Sequence, residues 1–314
     1  MDVLASIGDT ALVELRRVVP PECAKIAVKL EYQNPTGSMK DRMAVTAIAR
    51  AEADGRLGPG DTVVEYTGGS TGTSLAFVCA AKGYPINLVS SDAFSREKLD
   101  HMVAYGASLT VLPWGGRGID KQLFLDMIAT ARRLAQRPNT YWTNQLENHD
   151  MAAGYEPIGD EIFRQTHGRV DAFVQMVGTS HSLRGVATSL KRHDSKVTVV
   201  AVEPAESPVL SGGPSGVHDI EGVGIGYVPP LWDAALVDRM IRVSSADAKA
   251  MARRLAREEG LFAGTSSGAN VCAAIEIGKA LGPQATVVTL MIDSGLKYLS
   301  TDLFSSLNDD GGQP

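Results

Sequence analysis

Lys40 is the residue in this chain best placed for covalent chemistry. It lies in Asn34-Pro-Thr-Gly-Ser-Met-Lys-Asp-Arg42, where a strand-like run from Ile26 to Leu30 gives way to a helix-like run. Ser38 and Asp41 form a Ser-x-x-Asp pattern, which predicts a capping box with Ser38 as N-cap and Lys40 at the second helical position. The free N–H groups and the dipole of a first helical turn disfavour a cation. A lysine so placed gives up its proton more readily, and a neutral amine attacks carbonyl carbon. On this segment alone, a solvated lysine that tolerates the position is the alternative.

The elements that must position such a lysine repeat one pattern of strand, small-residue turn and helix. Thr62 to Tyr66 leads into Thr67-Gly-Gly-Ser-Thr-Gly72 and a helix-like run from Thr73 to Lys82, with Gly83 as its stop. Ala172 to Val177 leads into Gly178-Thr-Ser-His-Ser182 and a helix-like run to Lys191. Leu261 to Ala263, read as a strand, leads into Gly264-Thr-Ser-Ser-Gly-Ala-Asn270 and a helix-like run from Val271 to Leu281. Val287 to Ile292 ends in Asp293-Ser294-Gly295. Helix starts expose N–H groups that bind phosphate or carboxylate, and hydroxyls add donors without charge. Any one of these loops is equally a structural turn, since glycine punctuates turns everywhere. Neither a Gly-x-Gly-x-x-Gly nor a Gly-x-x-x-x-Gly-Lys-Ser/Thr pattern occupies them. Several such loops at strand ends, with a helix-start lysine, point to an anionic cofactor in a crevice of an α/β protein.

From Ile7 to Thr301 the chain resembles cysteine synthase (O-acetylserine sulfhydrylase) and its β-replacement relatives among the fold-type II pyridoxal-phosphate enzymes. The landmarks are NPTGSMKDR at 34 to 42, TGGSTG at 67 to 72, NQLENHD at 144 to 150 and GTSHSLRG at 178 to 185. They continue with EGVGIGYVP at 221 to 229, GTSSGA at 264 to 269 and DSGLKYLST at 293 to 301. The resemblance implies a tryptophan synthase β-like α/β fold, with two open twisted-sheet domains and the cofactor in the cleft between them. It implies that Lys40 holds pyridoxal 5'-phosphate as an internal aldimine and then takes the substrate's α-proton. Gly178, Thr179, Ser180, His181 and Ser182 match the phosphate cup. Ser266 matches the serine at the pyridine nitrogen, with Asp293 beside it. Thr67, Gly68, Ser70 and Thr71 match the loop that grips the amino-acid carboxylate, and Gln145 matches a glutamine facing that carboxylate. Ser70 also stands by the cofactor.

The reaction implied is β-replacement on an O-activated L-serine through an aminoacrylate, with O-acetyl-L-serine and sulfide giving L-cysteine and acetate. A neutral serine partner at the ring nitrogen suits β-elimination and replacement better than transamination. The alternatives are a β-elimination lyase, such as L-cysteine desulfhydrase or serine dehydratase, and replacement using O-phosphoserine, homocysteine, thiosulfate or an amine. A catalytically silent scaffold or regulatory subunit is a further alternative, since a fold does not guarantee a function.

The chain departs from the family pattern at several positions. Ser70 stands where asparagine is usual, and is shorter, without the amide donors. Ser180 and His181 replace two glycines. His181 is read as an exposed, ordinary histidine, with contact to the phosphate or an anionic substrate as the alternative. Asp9, Ala11, Leu296 and Lys297 replace Asn, Pro, Glu and Arg.

Composition adds limits. The 314 residues carry a net charge of −6, without the arginine–lysine run of a nucleic-acid binder. No apolar run is long enough to span a bilayer, and the N-terminus lacks a signal-peptide pattern. Cys23, Cys79 and Cys272 show no metal spacing, and no metal site is expected; unpaired thiols fit a cytoplasmic protein. The expected partners are a small amino-acid substrate and a small nucleophile, and the resemblance implies a homodimer. Residues 41–145 are expected to form a smaller, mobile α/β domain, and 1–40 with 146–314 a larger, cofactor-binding α/β domain.

Overall fold

Two sheets organise the molecule, and their carboxyl ends face each other. In the computed structural model, which describes residues 2–115 and 119–304, the larger sheet runs β1-β2-β10-β7-β8-β9 and the smaller β5-β4-β3-β6. The first strands are β1 (Leu12–Glu14) and β2 (Lys25–Lys29). The smaller sheet comprises β3 (Thr62–Tyr66), β4 (Ile86–Ser91), β5 (Ser108–Leu112) and β6 (Thr140–Trp142). The larger is completed by β7 (Ala172–Met176), β8 (Thr198–Pro204), β9 (Arg239–Val243) and β10 (Thr286–Leu290). Every pairing is parallel except β1 with β2. Parallel strands require crossovers, which the helices supply.

The helices are α1 (Lys40–Ala53), α2 (Ser70–Lys82), α3 (Arg96–Ala104), α4 (Lys121–Ala135) and α5 (Asp150–Ala153). After them come α6 (Glu156–Gln165), α7 (His181–His193), α8 (Ser245–Arg254) and α9 (Thr265–Leu281). One core packs around the larger sheet, where β7 is buried at all five positions. Two further clusters cover the two faces of the smaller sheet. Helix α1 joins both bodies: Met43 and Ala47 enter the larger core, Ala44 and Ile48 the smaller-sheet cluster. This is the expected two-sheet α/β architecture.

Three local expectations change. Leu261–Ala263 is not a strand; among the described residues its sheet-like pairing is a single bridge, Ala263 to Ser294. Helices α2 and α9 begin earlier than their apolar runs, so Ser70 and Ser266 lie in first turns. Gly268 is accommodated in α9 because a Cβ there would overlap the Ala248 carbonyl of α8. The expected capping box before α1 does not form: Met39, not Ser38, is the N-cap, without a side-chain cap bond, and Lys40 is the first helical residue rather than the second. Ser38 Oγ accepts from the Lys40 N–H at 3.2 Å, but the Asp41 carboxylate turns away to the Thr36 N–H and hydroxyl at 2.8 and 2.6 Å. Thr36, two residues before Ser38, offers two donors at once, which outcompete one capping N–H.

Candidate active site

Two adjoining cavities open where the sheets' carboxyl ends meet, sharing Lys40, Ser70, Thr179, Gly222 and Asp293. One is a slot running past Gly178, Thr179 and Ser182 to Ser266. The other holds the 67–71 loop and Gln145 under walls of Phe94, Phe124 and Ile225.

Lys40 begins α1 and lines both cavities. The preceding segment is clamped to the end of β10 by the Met39 N–H to Ile292 carbonyl bond of 3.0 Å and a bridge between Ser38 and Asp293. Burial pushes the Lys40 amine down from 10.5 to about 8; Asp293 opposes this and Lys297 adds to it. Burial is the main source of this shift, which has the direction expected for a lysine at a helix start.

The 67–71 loop is built to present donors. Gly69 has φ +139°, and Thr67 Oγ1 accepts the N–H groups of Gly69 and Gly72, both at 2.9 Å. Only glycine adopts that backbone readily, and a Cβ at Gly69 would overlap the Lys98 side chain. Thr71 donates to Gln145 Oε1 at 3.0 Å, and Gln145 Nε2 donates to the Tyr66 carbonyl at 2.7 Å. Glu65 lies beneath, fully buried, accepting from the Gln145 N–H at 2.8 Å and the Thr143 hydroxyl at 2.6 Å. Burial raises its carboxyl to about 7 against those hydrogen bonds. Gly68 completes the loop, facing the Phe94 ring.

The 178–182 turn opens α7, with Ser180 left-handed at φ +77°. Gly178 has no space for a side chain, because a Cβ would stand 2.7 Å from the Gly222 carbonyl. His181 is not the exposed residue expected. It is 1% exposed, shares a 2.8 Å hydrogen bond between Nδ1 and the Thr179 hydroxyl, and is driven by burial, then by the charge of Lys40, to about 3. As the first residue of α7 it faces inward with that helix's packed side.

At the far end, Ser266 is buried and lines the slot. Asp293 Oδ2 accepts from Ser70 at 3.2 Å and from the Tyr298 hydroxyl at 2.8 Å, so Ser70 ties the smaller-sheet side to the larger. His181 Nε2, Thr265 Oγ1 and Asp293 Oδ1, at or beside the slot, are buried without a hydrogen-bond partner. Buried polar atoms are ordinarily paired, and of these three residues only Asp293 lines the cavities, where its free oxygen faces a polar ligand's place. A helix start with hydroxyls at one end, a serine at the other and a readily deprotonated lysine between them fit pyridoxal phosphate.

Most residues assigned a site role from the sequence line one or both of these cavities, but Ser180 and His181, although in the 178–182 turn, line neither. Lys98, Glu221, Tyr298 and the Phe94, Phe124 and Ile225 walls had not been assigned such a role. Glu221 lies in a recognised motif; Lys98 is on α3 with no local signal. Burial raises the thiols of Cys79 and the partly buried Cys272 to about 12 and about 11, which disfavours the thiolate form. Among the described residues, no group of His, Cys, Asp and Glu is arranged to hold a metal ion.

Comparison with known proteins matches residues 3–293 to the family described as pyridoxal-phosphate dependent enzyme. The cysteine synthase of Staphylococcus aureus is 42% identical over 301 residues, spanning 95% of each chain. The solved cysteine synthase of Entamoeba histolytica superposes with a TM-score of 0.91 at 35% identity, covering 99% of this chain and 92% of its own. A hydrogen sulfide-producing enzyme of Fusobacterium nucleatum gives a TM-score of 0.87 at 33% identity, covering 95% of this chain and 99% of its own.

Proposed function

Because this chain belongs to the cysteine synthase family of fold-type II pyridoxal-phosphate enzymes, which act on serine-type substrates by β-replacement or β-elimination, we propose that it makes L-cysteine and acetate from O-acetyl-L-serine and sulfide. The observation that carries this reading is the cavity over Lys40, with a carboxylate grip on one side and apolar walls on the other.

When bound at Lys40, pyridoxal phosphate supplies the electron sink that stabilises charge at the substrate's α-carbon. The N–H groups opening α7 and the Thr179 and Ser182 hydroxyls would hold its phosphate, and Ser266 would serve as the partner of its ring nitrogen. Thr71, Gln145 and the 67–70 backbone take the substrate carboxylate, which sets the α-hydrogen toward Lys40. The Lys40 amine, once free, accepts that proton; an amine near 8 is close to the working range of a general base. Phe94, Phe124 and Ile225 exclude water while the β-substituent leaves and the nucleophile enters. Two copies of the chain form the working enzyme, which light scattering at low concentration tests directly.

The fusobacterial relative, described as hydrogen sulfide-producing, favours β-elimination as the second reading. Adding candidate donors to the holoenzyme and following cofactor absorbance separates the two. O-acetyl-L-serine is expected to produce a spectral change that sulfide reverses. A spectrum unmoved by any O-activated serine, with pyruvate and sulfide formed from cysteine alone, would replace the synthase with a lyase.

Ser70→Asn tests the departure in the grip loop. It is expected to keep full cofactor content and change kcat/KM among donors by about tenfold, the scale of one pocket contact. Lost cofactor with unchanged donor preference would assign Ser70 to cofactor capture instead.

A further inference from the structure

The substrate cavity contains one lysine besides Lys40, and the protein has already neutralised it. Lys98 lines that cavity, is 2% exposed and rises from α3, on the smaller-sheet side. Its amine meets Glu221 Oε2 of the opposite side at 2.5 Å and stands 4.1 Å over the Tyr298 ring. Its stem occupies the space a side chain at Gly69 would need, so it lies directly beneath the carboxylate-gripping loop. The other charged group lining the cavity, among the described residues, is Asp293. Lys297 is buried without a hydrogen-bond partner for its amine, but it does not line the cavity, and Asp293 exerts the largest opposing charge effect on it.

The balance of charge decides what can enter. A phosphate-bearing β-substituent would meet Asp293 in the lining, while Lys98 is already paired with Glu221, which lines the adjoining slot. Displacing Glu221 would strand a largely buried carboxylate, which is costly. An uncharged ester meets Phe94, Phe124 and Ile225 and requires no cation. We propose that the Lys98–Glu221 pair is a specificity device, with an internal carboxylate occupying the cavity's spare cation so that uncharged β-substituents are selected over phosphorylated ones. This rests on the reading that the cavity receives an O-activated serine.

The test compares wild-type holoenzyme with Glu221→Gln and with the Lys98→Met/Glu221→Gln double variant, each checked first for cofactor absorbance. Donor preference is the ratio of kcat/KM for O-phospho-L-serine to that for O-acetyl-L-serine. Calorimetry measures binding of inorganic phosphate to each holoenzyme. Wild type is expected to favour the acetyl donor and bind no phosphate. Glu221→Gln is expected to shift the ratio toward the phosphorylated donor by about tenfold or more, the low end for a close charge pair, and to bind one phosphate per chain. The double variant is expected to lose both gains. Wild-type use of both donors at similar kcat/KM would overturn the proposal, as would an unchanged ratio and no phosphate binding in a cofactor-loaded Glu221→Gln. Should Glu221→Gln fail to fold, the wild-type donor ratio decides the question. If neither donor reacts with wild type, the β-replacement reading fails, and phosphate binding alone decides whether Glu221 masks Lys98.

Discussion

Lys40→Ala is expected to give a folded protein with no covalently held cofactor and turnover reduced by about 10³-fold or more, the upper part of the range for a lost general base. The variant removes two functions at once, the attachment point and the proton acceptor. Folding is expected to survive, because Lys40 lines cavities rather than the core, and the segment is held by Met39, Ser38 and Asp41. Borohydride treatment of the wild-type holoenzyme followed by peptide mass analysis should place the cofactor mass on Lys40. Cofactor mass on Lys297, the other buried amine brought to about 8 mainly by burial, would reassign the site. The depressed amine also sets a pH dependence. Attachment requires the neutral form, so wild-type apoprotein should load faster as pH rises through about 8, below the ordinary lysine value of 10.5. A loading rate still climbing steeply above pH 10 would show that burial does not tune this lysine.

Arg42→Leu should cost about 3–5 kcal/mol of stability, the usual penalty for breaking a buried ion pair by removing one partner. Arg42 is the last residue of the Lys40 motif, and its guanidinium joins two carboxylates. It donates to Glu31 at 2.7 and 2.8 Å and to Glu161 at 2.7 and 2.8 Å. Lys29 adds a 2.6 Å contact to Glu161. The network fastens α1 to β2 and α6, and with it the start of the catalytic helix. Burial would raise the Glu161 carboxyl above its ordinary 4.5, but Arg42, with help from Lys29, brings it down to about 2. A depressed folded value means this stabilisation is complete above about 4.5 and fades as pH falls toward 2. The difference in denaturant midpoint between wild type and Arg42→Leu should therefore narrow across that window. A gap of the same size at pH 7 and pH 3 would mean that Glu161 does not carry the stabilisation.

Strand–turn–helix alternation was legible because buried parallel strands read as short apolar runs between turn residues. The run from Ile26 to Leu30 lies one residue from the observed Lys25–Lys29, and the apolar run from Val271 to Leu281 ends where α9 ends. The helix starts were less legible. Glycine and serine are poor helix formers, so 67–72 and 264–270 read as loops, yet tertiary packing holds Ser70 and Thr265 onward in helices. Most residues singled out within motifs line the cavities, because the motifs sit at the strand ends where the cavities open. His181 was misjudged because burial is set by how α7 seats on its neighbours, which one residue type does not reveal. The Lys98–Glu221 contact joins positions 123 residues apart, and nothing local in α3 points across the cleft.

The most direct test of the account is product analysis of the purified holoenzyme supplied with O-acetyl-L-serine and isotopically labelled sulfide. The predicted result is L-cysteine carrying the labelled sulfur, formed in equal amount with acetate, and lost in Lys40→Ala. Pyruvate in place of cysteine, with the labelled sulfide left in solution, would contradict it.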